Sequence, residues 1–397
     1  MMLKRDTGYT LVELMISLSI GLVITAAVVT AYVSSKENTD RTTDVSNMQE
    51  TGRIAMSVIR EDIAMAGFFG HLQQPIRSAG AGKNLLNSFD DDSKPPRINA
   101  VAAGNDCNAG STQNNGILPE NLDLPFIWFY AYEATGGNGS VGELPPLSCI
   151  VDNGTETIAE DSDVVFIKRA VSREIRLTDK GTFELEPADP KGLYLITEPL
   201  SVGMATGEQL VDEINRPFAG ELVNQPSAWK YLSRLYYIRL KRKNSQGDSI
   251  PTLVRRSLEL GAGNEINAQL GAEEDVIEGV EAIHIDYGFD TGSTDERVDR
   301  YIPSGQMTEE LLNNHSVVSV GIYILVRDID PTPGFAQTAG ERTFRLGLGK
   351  EIQKNDDYKR QLISANVLLY NGINASWYES SIVESGGNSS PAPPSTP

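Results

Sequence analysis

The sequence predicts an α+β protein: a long N-terminal helix, transmembrane in its first half, packed on an antiparallel β-sheet head. Three observations carry this expectation. Leu14 to Val33 is a run of twenty residues with neither charge nor proline. Apolar residues then recur at helical spacing as far as Ala66, and no proline occurs before Pro75. Beyond Asp163, short segments rich in β-branched and aromatic residues alternate in the manner of strands.

At 1.5 Å per residue the apolar run covers about 30 Å, the thickness of a hydrocarbon core. Lys4 and Arg5 stand before it, which places the N-terminus on the cytoplasmic side and the bulk of the chain outside. A secretory signal would carry a shorter apolar region, about 7–15 residues, ending at a small-residue cleavage site. Here the run passes directly into an amphipathic pattern. Val45, Met48, Gly52, Met56, Ile59, Ile63 and Ala66 share one face, while Glu50, Arg53, Arg60, Glu61 and Asp62 cover the others. Gly67 and Gly70 supply stop signals. One helix from about Tyr9 to about Ala66 follows. Hydropathy alone reads its first half as a plain signal anchor.

Glu13 argues for more than an anchor. A carboxylate at the bilayer centre costs about 2.5–3.5 kcal/mol even on the mildest scale, so an acid at the head of this run needs a reason. Lys4-Arg5-Asp6-Thr7-Gly8 followed by Tyr9-Thr10-Leu11-Val12-Glu13 resembles the class III signal of type IV pilins and pseudopilins. The resemblance implies a leader of residues 1–8, cut between Gly8 and Tyr9 by the prepilin peptidase, and N-methylation of Tyr9, where phenylalanine is commoner. Glu13 then falls at the fifth mature position. There its carboxylate can pair with the free amine of a neighbouring subunit, a docking role in assembly. Many major pilins carry a proline in the first helical half; this chain has only Gly21 there.

The head reads as a variable, loop-rich and β part over 67–229 and an antiparallel sheet part over 230–384. Residues 385–397 (SGGNSSPAPPSTP) form a low-complexity tail expected to be disordered. The first part holds an acidic patch at Asp90, Asp91 and Asp92 and both cysteines, Cys107 and Cys149. In an oxidising compartment these two are expected to form a disulfide, worth about 4 kcal/mol on the chain-entropy account. Strands are expected at 163–170 and 192–197. Tyr231–Lys241 then turns through Asn244–Asp248 into Thr252–Leu258 as a hairpin. Val280–Phe289 carries Ile283, Ile285, Tyr287 and Phe289 on one face, and Val317–Arg327 follows. Together these suggest an antiparallel meander and complete a type IV pilin-like fold. The succession YYIRL…PTLVRRSLE, EGVEAIHIDYGFDT and VVSVGIYILVR resembles the PilW-type minor pilins. The resemblance covers about 9–75 and 230–370; residues 76–229 resemble nothing recognisable.

Composition limits the chemistry. A formal net charge of −20 disfavours nucleic-acid binding, which depends on Lys and Arg neutralising phosphates. The histidines are His71, His284 and His315, and neither CxxC nor HExxH occurs. Asp290, Asp295 and Asp299, in DTGSTDERVD, are the only weak candidates for a metal, calcium. They lack the alternation of an EF-hand, so a solvated turn and no cofactor are expected. Gly347-Leu-Gly-Lys350 lacks phosphate-loop spacing, and His284 is expected to face outward from its strand. With no G-x-S-x-G elbow, the chain gives no case for an enzyme.

The resemblance implies a minor pilin that initiates type IV pilus assembly within a tip or priming complex, supporting twitching, adhesion or DNA uptake. Implied partners are sibling minor pilins, the major pilin, the prepilin peptidase, the inner-membrane assembly platform and a tip adhesin. The chain would cross the inner membrane once with its head in the periplasm, then move to the pilus tip at the cell surface. Its rivals are a tip pseudopilin of type II secretion and an anchored surface enzyme or ligand-binding protein. Processing is directly measurable. Intact-mass analysis or N-terminal sequencing from the native host should find Tyr9 first and methylated, the formal charge moving from −20 to −21 as Lys4, Arg5 and Asp6 leave. A mature chain starting after Val33 would contradict the prepilin signal.

Overall fold

The computed structural model describes residues 9–70, 98–99, 107, 115–118, 126–136, 139–152, 154, 156–176, 189, 191–197, 202–211, 227–261, 266–291, 297–314, 316–369 and 371. It divides into two compact units, Met1–Glu50 and Thr51–Pro397. The leader, the acidic patch at 90–92, His71, His315 and the tail all lie outside the described residues.

Helix α1 is Leu11–Ala64, close to the expected span. In the first unit it displays its apolar side chains on every side: Leu14 is 62% and Leu22 68% exposed. It is the one described helix long and apolar enough to cross a membrane. Its hydroxyls suit that medium. Ser17, Ser19, Thr25 and Thr30 each donate to the carbonyl four residues back, at 2.7–2.9 Å. In hydrocarbon no water would satisfy these groups, so bonding them within the helix removes most of the cost of keeping them.

The second unit is built on strands. The first eight are β1 (Ile98–Asn99), β2 (Phe129–Ala134), β3 (Thr157–Ile158), β4 (Ser162–Arg176), β5 (Leu193–Thr197), β6 (Val202–Thr206), β7 (Ser227–Lys243) and β8 (Ser249–Leu260). The rest are β9 (Ile266–Leu270), β10 (Glu274–Glu278), β11 (Val280–Asp290), β12 (Arg300–Pro303), β13 (Ser316–Arg327), β14 (Arg342–Arg345), β15 (Glu351–Lys354) and β16 (Arg360–Leu368). The fold is α+β and pilin-like, but its strands make two main sheets rather than one meander. The larger runs β1-β9-β8-β7-β4-β2, the smaller β12-β11-β13-β16, and β14 and β15 form a separate hairpin. Pairing is antiparallel apart from β1 with β9. The β7–β8 hairpin forms as its alternation predicts, and Asn244 Oδ1 closes the turn by accepting from the backbone N–H groups of Gln246 and Asp248.

The departure from a meander has a physical cause in β7. This 17-residue strand buries most of its length and pairs with β4 and β5 as well as β8. The variable and the sheet-rich parts of the head therefore share one sheet. The two sheets are stitched where β11 lacks a strand partner on one side. Ile283 N–H donates to Ser162 Oγ (3.0 Å) and Ile285 N–H to Asp163 Oδ2 (2.7 Å). Tyr287 OH donates to Ala131 C=O (2.9 Å). Side chains from β4 and β11 thus satisfy backbone groups that burial would otherwise leave unpaired.

The last turns of α1 touch both sheets. At Gly52 the helix lies so close to the small sheet that a Cβ there would collide with Ile363 of β16 and press on Val326 of β13. Ten residues on, Asp62 is buried to 1% against the large sheet. Its carboxylate accepts from Arg169 Nε and Nη2 at 3.0 and 2.7 Å, from Arg234 Nη1 at 2.9 Å and from Tyr236 OH at 2.5 Å. Ala55, Ile59 and Ile63 are fully buried around it.

Burial opposes ionisation of Asp62, but the bond from Tyr236 and the charges of Arg234 and Arg169 outweigh it and hold the carboxyl below the ordinary aspartate range. A folded pKa below the unfolded one stabilises the head fully above about pH 4, the ordinary aspartate value, and the gain disappears as pH falls through the folded pKa. Asp62→Asn leaves two guanidinium groups without their anion and should cost about 3–5 kcal/mol of stability in denaturant titrations at pH 7. The gap from wild type should narrow in acid below pH 4. A loss under about 1 kcal/mol at pH 7 would mean that the network contributes little.

Candidate functional site

The residues that sequence reasoning tied to assembly lie at the start of α1. Thr10 precedes the first helical residue, and Glu13 is the third residue of the first turn. Glu13 N–H donates to Thr10 Oγ1 (3.2 Å), while Glu13 Oε2 accepts from Thr10 N–H (3.0 Å) and Thr10 Oγ1 (2.9 Å). This reciprocal capping box satisfies helix donors that have no partner within the helix. The T-x-x-E spacing that signals it is plain in the sequence, and the sequence reading overlooked it. Glu13 therefore has a function inside its own chain, besides any role towards a neighbour. Tyr9 is 89% exposed, and Gly8 lies outside the described residues.

Cys107 and Cys149 are joined in a disulfide, their Cα atoms 4.7 Å apart. The bridge is tied to the large sheet through Arg256 of β8. This side chain donates to Cys149 C=O (3.2 Å) and also to the carbonyls of Gly271 (2.9 Å) and Leu270 (3.0 Å).

His284 corrects an expectation. It was expected to face solvent, yet it is only 1% exposed. Its face of β11 is covered because the β14–β15 hairpin folds back over it. Leu346 and Ile352 pack with Ala282 and Leu325, and Leu348 N–H donates to Asp286 Oδ2 (3.0 Å). Alternation along one strand cannot reveal a covering element that arrives sixty residues later. His284 Nδ1 stands 3.5 Å from Asp163 Oδ2, and Nε2 stands 3.2 Å from Asp286 Oδ1. Neither approach is aligned as a hydrogen bond, so both ring nitrogens and Asp163 Oδ1 are buried without one. Burial lowers the imidazole pKa, but Asp163 and then Asp286 reverse this and push it up to about 10. At neutral pH the ring is an imidazolium held between two carboxylates.

Beside it, Lys350 is drawn in from the β14–β15 turn and donates to Glu133 Oε1 (2.5 Å) and Asp161 Oδ1 (2.9 Å). The Gly347–Lys350 stretch is thus a hairpin turn, with Gly347 and Gly349 at φ 63° and 73°. Of the acidic turn, Asp299 Oδ2 accepts from Thr291 N–H (2.9 Å) and Thr291 Oγ1 (3.1 Å), while Asp295 lies outside the described residues. Asp290 ends β11 opposite Ser316.

Two comparisons bear on this geometry. Residues 235–371 match the family described as type IV pilus-assembly protein W, which takes in β8 to β16 and most of β7. Residues 3–29 match the prokaryotic N-terminal methylation motif, which contains Gly8, Tyr9 and Glu13. No curated protein and no solved structure matches the chain.

Proposed function

We propose that this chain, a PilW-like type IV pilin by its matches over 235–371 and 3–29, acts as a minor pilin in a priming complex that starts the pilus and sits at its tip. What supports this reading is the union, in one chain, of the methylation motif on an exposed apolar helix with a family-matched sheet head. Such families are structural rather than enzymatic. The helix anchors the chain in a membrane. In this reading the head faces the periplasm before assembly and the cell exterior afterwards. The prepilin peptidase processes the chain between Gly8 and Tyr9, and the inner-membrane platform, the major pilin and sibling minor pilins meet it through α1. A tip adhesin would then be carried by that complex, and twitching, adhesion and DNA uptake would depend on it indirectly.

Glu13 serves as the docking acid in this proposal, pairing with the amine of an adjacent subunit. Its carboxylate already accepts from Thr10, so charge and capping need separating. Glu13→Gln keeps an acceptor for Thr10 and removes only the charge. It should leave cleavage and insertion intact while reducing incorporation into pili, as Glu13→Ala should. Normal piliation by Glu13→Gln would assign the residue to capping alone.

The priming role has its own test. Deleting the gene should leave major pilin abundant in the membrane while surface pili become scarce. Removing the retraction motor as well should let a few pili accumulate, because rare starts are no longer pulled back. A type II secretion pseudopilin predicts the reverse, with normal pili and exported enzymes trapped in the periplasm. Counting pili and assaying secreted protein in the same strain separates the two.

A further inference from the structure

We propose that Glu133, Asp163 and His284 form a binding site for one divalent metal ion of the zinc class, buried where β2, β4 and β11 meet. One donor atom from each of the three lies within 4.8 Å of the others. His284 Nδ1 and Asp163 Oδ2, 3.5 Å apart, already have the separation of two ligands about 2.1 Å from a tetrahedral ion. One imidazole nitrogen with two carboxylates is a donor set suited to zinc and its neighbours, and it holds too few oxygens for calcium.

A second observation sets this cluster apart from an ordinary group of acids. His284 is buried to 1%, and neither of its ring nitrogens makes a hydrogen bond; Asp163 Oδ1, equally buried, makes none either. Buried polar atoms nearly always have partners, and two of these orphans, His284 Nδ1 and Asp163 Oδ1, belong to the cluster and ask for a ligand. Asp286 stands at the place of a metal-bound histidine's outer carboxylate, near enough for an ion pair with the ring but not hydrogen-bonded to it. Its Oδ1 lies 3.2 Å from Nε2, on the far side of the ring from Asp163, and its Oδ2 is fixed by Leu348 N–H. Asp163 is held in place by Ile285 N–H, which takes one lone pair of Oδ2 and leaves its other lone pair, and the unbonded Oδ1, for the metal.

Charge points the same way. Glu133, Asp161, Asp163 and Asp286 surround the point, against one ammonium, Lys350, and the ring of His284. Lys350 bonds Glu133 through Oε1, so Oε2 is the oxygen offered to the metal. This inference stands on the head alone and does not depend on the pilus reading.

The test uses the full-length chain in detergent, stripped with chelator and then titrated with zinc, with calcium alongside. One zinc per chain should bind by calorimetry and by elemental analysis after desalting. At a hundredfold excess over Kd the melting temperature should rise by roughly 5 °C, and calcium should do neither. Glu133→Gln should weaken zinc binding at least tenfold, and His284→Gln should abolish it. Lys350→Met removes a competing cation and should tighten binding, whereas a cluster serving only as an ion pair would gain nothing from it. If His284→Gln fails to fold, Glu133→Gln and Lys350→Met decide the matter. Absence of stoichiometric zinc in the wild-type chain, or binding unchanged in Glu133→Gln, overturns the site.

Discussion

Taking one carboxylate out of water at the end of α1 is the constraint around which the head is arranged. Asp62 cannot remain charged beneath Ile59 and Ile63 unless cations reach it, and those cations come from two strands, Arg169 on β4 and Arg234 on β7. Two guanidinium groups and a phenol converging on one acid leave the helix little freedom to rotate or slide on the sheet. Apolar packing alone would tolerate a slip of one turn more readily. Ten residues earlier, Gly52 brings the same helix against β13 and β16. At 1.5 Å per residue the two anchor points are about 15 Å apart, so the helix also fixes the spacing of the sheets beneath it.

Strands whose alternation is strong, such as 231–241 and 317–327, could be read from the sequence, because one face of each is buried and the pattern records it. The N-terminal signal was legible for a similar reason: charge, glycine, aromatic and acid lie within ten residues of one another. What stayed hidden depends on partners far along the chain. Asp62 sits on a polar helix face and looks solvated, yet its partners lie 107 to 174 residues away. His284 was misread because its cover arrives in the β14–β15 hairpin. Asp163 gave no hint at all, since an acid at a strand start is unremarkable until a second strand needs its oxygen. The capping box is a different case: a local pattern, readable and unread.

The two ends of α1 solve one problem, polar groups in apolar surroundings, by different means. In the exposed apolar half, the hydroxyls of Ser17, Ser19, Thr25 and Thr30 bond to the helix's own backbone and the first turn closes on Glu13, so these groups are satisfied without an outside partner. In the head half, the polar group is satisfied entirely from other elements. The first solution lets a helix be moved between environments without changing its hydrogen bonds. The second makes its position permanent.

The disulfide has a consequence for how this head can change over generations. Its two cysteines close a segment of sequence separation 42, and Arg256 pins one end of that segment to the sheet. Loop-closure entropy grows only with the logarithm of length, about 0.6 kcal/mol for each doubling. Once the ends are clamped, a change of length between them carries little closure penalty provided it falls outside β2, which lies within the segment and pairs with β4. The freedom this gives stops at Phe129–Ala134, whose largely buried side chains and pairing with β4 make that part of the closed segment as fixed as the sheet it belongs to.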